Sequence, residues 1–105
     1  MRSHTITIEV PDMNDSVSRI VLCGKQYFIR FTYNDTCGYW TFGLSDSLQK
    51  PIRAGIKIIP QFPLNLFSGS EDMSVGVFGA LSDLEKIGRN DFKDGRATFI
   101  FAWQE

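Results

Sequence analysis

Apolar and polar residues alternate along much of this chain, and a period of two is the mark of strands with one buried face. Thr5 to Val10 sets Ile6, Ile8 and Val10 against Thr5, Thr7 and Glu9, until Pro11 ends the run. After the polar stretch Asp12 to Ser16, Val17 to Cys23 predicts a second strand, Gly24-Lys25 a turn, and Gln26 to Tyr33 a third strand. In that third strand Tyr27, Ile29, Phe31 and Tyr33 share a face. Asn34-Asp35-Thr36-Cys37-Gly38 is rich in residues that accept positive φ and reads as a turn into Tyr39 to Leu44, where Trp40, Phe42 and Leu44 align. These three strands predict a meander.

Ser45 to Ile52 reads as a polar loop closed by Pro51, and Arg53 to Ile59 as a fifth strand with Ile56 and Ile58 on one side, stopped by Pro60. From Gln61 to Asp72 the pattern changes. Phe62 is bracketed by prolines, Leu64, Leu66 and Phe67 follow, and Ser68-Gly69-Ser70 closes a loop with an apolar middle. Met73 to Leu81 predicts a strand in which Gly76 and Gly79 suggest a bulge or a close backbone approach. Ser82 to Ile87 predicts the one short helix, with Ser82 as N-cap and Glu85 completing a capping box before Gly88. Arg96 to Trp103 is a closing strand apolar on both faces, which places it centrally in a two-layer core or under a partner. The expected architecture is an all-β antiparallel barrel or sandwich of about six to seven strands with that helix, in one domain spanning the chain.

Composition narrows the function. The chain has 105 residues, room for one modest core, and nine of them are Phe, a choice that favours strands. A net charge of -1 provides no broad positive field for phosphate binding, so nucleic acid is not expected as a partner. The opening Met1 to Val10 lacks the continuous apolar run of an export signal, and no stretch is long enough for a membrane anchor, so folding in a cytoplasm is expected. Asn14-Asp15-Ser16 and Asn34-Asp35-Thr36 match the glycosylation sequon but read as turn chemistry.

Catalytic constellations are not visible. His4 is the single histidine, and its position at the amino terminus reads as that of a solvent-exposed bystander rather than a catalytic base. Nearly all of the carboxylates from Asp12 to Asp94 fall in predicted turns and caps. Cys23 and Cys37 sit at opposite ends of the third strand, about 23 Å apart at 3.3 Å per residue, whereas a disulfide tolerates roughly 7 Å between Cα atoms. Two free thiols are expected, with no metal site, no cofactor and no enzymatic activity. The GXXG pattern Gly76-Val77-Phe78-Gly79 interrupts a strand and lacks the helices and basic residues of a nucleotide clamp. Tyr27, Phe31, Tyr33, Tyr39 and Trp40 read as core, with a sugar- or nucleotide-stacking platform on a small ligand-binding barrel as the alternative.

The run Leu22 to Phe31, followed by Tyr33-Asn34, Gly38-Tyr39-Trp40, Gly55-Ile56-Lys57-Ile58, Pro60 and Pro63-Leu64, resembles the phage baseplate plug family. Asp91-Phe92 and the strand from Gly95-Arg96 to Trp103 resemble that family's carboxy-terminal end. Cys23, Tyr33 and Trp103 depart from its usual residues, each with one of like shape. The resemblance implies a structural component of the tail baseplate of a contractile-tailed bacteriophage, located in the virion and binding hub, spike, tube or wedge proteins near the tail axis, in multiple copies. For that role the expected partner-binding residues are Phe62, Leu64, Leu66 and Phe67 in the apolar loop and Trp103 on the last strand, since a surface loop rich in large apolar groups supplies binding anchors.

Overall fold

The computed structural model describes residues 3–22, 24–60 and 76–104. Among the described residues seven strands form: β1 (Ser3–Ile8), β2 (Asp15–Leu22), β3 (Lys25–Asn34), β4 (Tyr39–Asp46), β5 (Pro51–Lys57), β6 (Gly76–Ser82) and β7 (Ala97–Gln104). They make two antiparallel sheets, one ordered β2-β3-β4-β5 and the other β1-β7-β6. The expected meander is therefore the first three strands of the larger sheet. The expected fifth strand joins it two residues early, with Pro51 inside the strand rather than closing the loop before it.

Local chemistry explains the reversals. At the β3–β4 turn the Asn34 side-chain oxygen accepts the N–H groups of Thr36 and Cys37, each at 3.0 Å, and the Asn34 carbonyl accepts the Gly38 N–H at 2.7 Å. Gly38 has φ of 73°, a conformation that suits a residue without Cβ. The sequon at Asn34 is thus occupied as a turn. Cys37, in that turn, is an exposed free thiol; Cys23 lies outside the described residues.

The two sheets pack face to face over one aromatic core. Ile29, Phe31, Trp40, Phe42 and Leu44 come from the larger sheet, Ile8, Phe78, Ala80, Phe99 and Phe101 from the smaller, and all are buried. Phe99 bridges the layers, with its ring centroid 5.1 Å from Phe31 and 5.0 Å from Phe42, both edge-on, the arrangement that ring quadrupoles prefer. β7 is the central strand of its sheet; Phe99 and Phe101 face the core, while Ile100 and Ala102 lie on the outer face, half-buried.

Three expectations are corrected. No helix forms at Ser82 to Ile87: Ser82 is the last residue of β6, and its hydroxyl donates to the Arg96 carbonyl at 2.8 Å and accepts the Leu84 N–H at 3.1 Å. The cap's local hydrogen bond exists, but a segment this short cannot recover the cost of helix nucleation while Ile87 is drawn into the core at 2% exposure. Gly76 and Gly79 cause no bulge, since the β6–β7 register runs unbroken from Gly76 opposite Trp103 to Ser82 opposite Ala97. The register shifts occur between β4 and β5 instead, around Leu44. Finally, the sheets form a sandwich and not a closed barrel. Paired strands lie about 4.8 Å apart, and no Cα of β1 comes within 8 Å of a Cα of β2. On the opposite side, among the described residues, an isolated bridge joins Pro60, beyond the end of β5, to Ala80 of β6.

Candidate protein-interaction surface

The connection between the sheets at one end of the sandwich is held by charge. The residues between β1 and β2 cross from one layer to the other, and there Asp12 accepts from Arg89 at 2.9 Å and lies 3.3 Å from the Lys93 ammonium. Asn14 accepts from the Arg89 guanidinium and donates to Asp35 at 3.4 Å. The hydrogen bonds from Arg89 and then Lys93 hold the Asp12 carboxyl below its ordinary pKa. Asp15 is lowered likewise, by the Arg30 guanidinium that grips both its oxygens at 2.8 and 2.6 Å. Asp91 and Asp94 are taken by Arg96. These carboxylates act as clasps, and no three His, Cys, Asp or Glu side chains among the described residues converge as a metal site would require.

Trp40 sits within this end of the core. It is 1% exposed, its indole N–H donates to the Gly88 carbonyl at 3.0 Å, and the rings of Tyr33 and Phe92 meet it edge-on at 5.2 and 5.8 Å. A stacking platform must present its ring to solvent, and Trp40 does not. The ligand-binding barrel reading loses both its barrel and its platform. A shallow recess of about 460 Å³ beside this end is lined by Glu9, Val10, Asp12, Phe92 and Lys93 among others, and Asp12 and Lys93 there pair with each other.

Of the expected partner-binding residues, Phe62, Leu64, Leu66 and Phe67 lie outside the described residues. Trp103 is half-buried at the end of β7, on the same face as Phe101, stacked 5.6 Å from it and 5.1 Å from His4, its partner across β1. It belongs to the rim of the core. The opposite face of this sheet is the one turned outward, and it carries Thr5 and Thr7 from β1, Thr98, Ile100 and Ala102 from β7, and Val77, Gly79 and Leu81 from β6. None of these residues is charged. Leu81 is 54% exposed. The outer face of the other sheet, by contrast, carries Arg19, Arg30 and Lys57. The sequence contained the signal for this uncharged face, in the polar-apolar parity of three strands, but only strand order shows that the three faces adjoin.

Comparison with known protein families matches residues 4–104 to the family described as the cyanophage baseplate Pam3 plug gp18. The chain belongs to this baseplate plug family. It is a structural component of a phage tail baseplate, and its place is in the virion's tail. Comparison with curated proteins gives no match.

Proposed function

We propose that this plug protein is built into the baseplate by apolar contacts to the neighbouring tail proteins near the tail axis, hub, spike, tube or wedge components, in multiple copies after folding in the host cytoplasm. The observation that carries the reading is the uncharged outer face of the β1-β7-β6 sheet. Surfaces buried against a protein partner are depleted in charge at their centre, and this sheet face has none. Phe62, Leu64, Leu66 and Phe67 precede β6 in sequence and, with Trp103 at the rim of the core, are the further anchors this reading assigns to contacts with neighbouring tail proteins. Contacts of this kind bury roughly 1,000 Å² or more in total, with a few apolar or aromatic anchors dominating.

The test is assembly. Phe67→Asp and Leu81→Asp are each expected to leave the melting temperature of the isolated protein nearly unchanged and to block its incorporation into tail particles. A large loss of stability in Phe67→Asp would place that ring in the core. Normal incorporation of a folded Leu81→Asp would remove the sheet face from the interface.

A further inference from the structure

The sandwich has four sheet edges, β2 and β5 in one sheet and β1 and β6 in the other. β5 is blunted by Pro51 and by the register shifts against β4, and β6 is met by Pro60 through the bridge to Ala80. Prolines and bulges are how proteins keep edges from pairing with other chains. β1 and β2 have neither; β2 is the longer of the two, eight residues against six, and its register against β3 runs without a break from Asp15 to Leu22.

Its free edge can be read atom by atom. The Asn14 carbonyl accepts the Tyr33 N–H at 2.7 Å, and the same register continues through Asp15 opposite Thr32. Because bonded and non-bonded pairs alternate in an antiparallel ladder, Ser16, Ser18 and Ile20 bond to β3 while the backbone groups of Asp15, Val17, Arg19 and Val21 point away from it. The side chains of those same residues line the outer face. Val17 and Val21 are each 62% exposed, and Met13, two residues before the strand, is 55% exposed. Beside this edge runs a groove of about 330 Å³, lined in part by Ile6, Ile8 and Ile20, that separates β2 from β1.

We propose that β2 is a self-association edge, at which a second copy of this chain adds its own β2 antiparallel to the first. The sequence along the edge is complementary to its own reverse. Pairing centred on Val17 sets Val17 against Val17, Asp15 against Arg19 on both sides of the axis, and Met13 against Val21. Every residue with outward backbone groups then meets another of the same kind, so the ladder is continuous. Opposite charges and apolar pairs placed directly across strands favour pairing, and like charges oppose it. Centring on Arg19 would set two guanidinium groups face to face, and centring on Ser18 would leave Asp15 against Val21 and Val17 against Arg19. The Asp15 carboxylate, half-exposed while held by Arg30, retains an open side for a second guanidinium. The edge chemistry carries this inference alone, independently of any contact with other tail proteins.

Sedimentation and light scattering of the purified full chain test it. The expected mass is twice the 11.9 kDa of the chain, falling toward one chain on dilution. Val17→Pro removes an N–H that β3 does not use, so the variant is expected to keep its circular dichroism spectrum and to be monomeric. Arg19→Asp on the exposed face is expected to weaken association at least tenfold by setting carboxylates opposite each other, and mixing it with Asp15→Lys is expected to restore a heterodimer. A wild-type chain that stays at 11.9 kDa at its highest soluble concentration overturns the proposal. So does a dimer that Val17→Pro and Arg19→Asp both leave unchanged. If Val17→Pro fails to fold, the Arg19→Asp result decides.

Discussion

Replacing Trp40 by Ala removes the largest fully buried side chain of the molecule, one held at 1% exposure. Truncations of this size in a core typically cost about 3–5 kcal/mol, from lost transfer free energy and from the cavity left behind. Here neighbours limit relaxation: Tyr33 and Phe92 lean on the indole edge-on and Arg89 lies over its face, 5.6 Å from the ring. A second loss comes from the Gly88 carbonyl, which gives up the indole donor at 3.0 Å. An acceptor left without a partner in a partly buried site costs on the order of 1 kcal/mol. Domains of this size have about 5–15 kcal/mol in all, so Trp40→Ala should be marginally folded. Trp40→Phe separates the terms, because it keeps most of the ring packing and loses the hydrogen bond. Urea unfolding followed by far-ultraviolet circular dichroism should order the midpoints wild type, Trp40→Phe, Trp40→Ala. An Ala variant with the wild-type midpoint would show that the indole is not a core element and would refute the packing argument.

Acid should weaken the fold through Asp12 and Asp15. Both carboxyls lie below their ordinary value of 3.8 in the folded chain, so their contribution is fully present above that value and is lost as pH falls from there through their lowered folded values. Melting temperatures across this range should drop less steeply in Asp12→Asn and Asp15→Asn than in the wild type, and parallel curves would remove these ion pairs from the acid response. Gly43 is where β5 crosses close to β4: a Cβ there would sit 3.2 Å from the Ala54 Cα and the Arg53 carbonyl oxygen. Gly43→Val should therefore cost about 1–3 kcal/mol by overpacking, lowering the melting temperature by several degrees, and an unchanged melting temperature would mean that the edge strand β5 yields freely.

Strands were legible in the sequence because a half-buried strand writes its environment into every second residue. Tyr27, Ile29 and Phe31, then Trp40, Phe42 and Leu44, needed no tertiary knowledge to be placed on one face, and each is buried there. The turn at Asn34 was equally local, since an Asn side chain and a Gly act within a few residues of chain. Family kinship was also present in the order and spacing of these elements, and it extends over residues 4–104. The short helix failed because its capping pattern is a statement about one turn. Whether Ser82 starts a helix or ends a strand was decided by the Arg96 carbonyl fourteen residues away and by the core position of Ile87.

What only tertiary structure decided is pairing between distant segments. Alternation tells which residues of β7 share a face, but not which strands flank it; β1 and β6 took its two sides. The assignment of Trp103 to the core rim, the uncharged outer face, and the separation of β1 from β2 that leaves the sandwich unclosed all follow from that strand order. Sequence periodicity records how each residue meets water or neighbours on its own strand. Strand order is settled by competition among many pairings of similar local quality, in which the joint burial of Phe31, Phe42, Phe78 and Phe99 between two layers outweighs any single segment's preference.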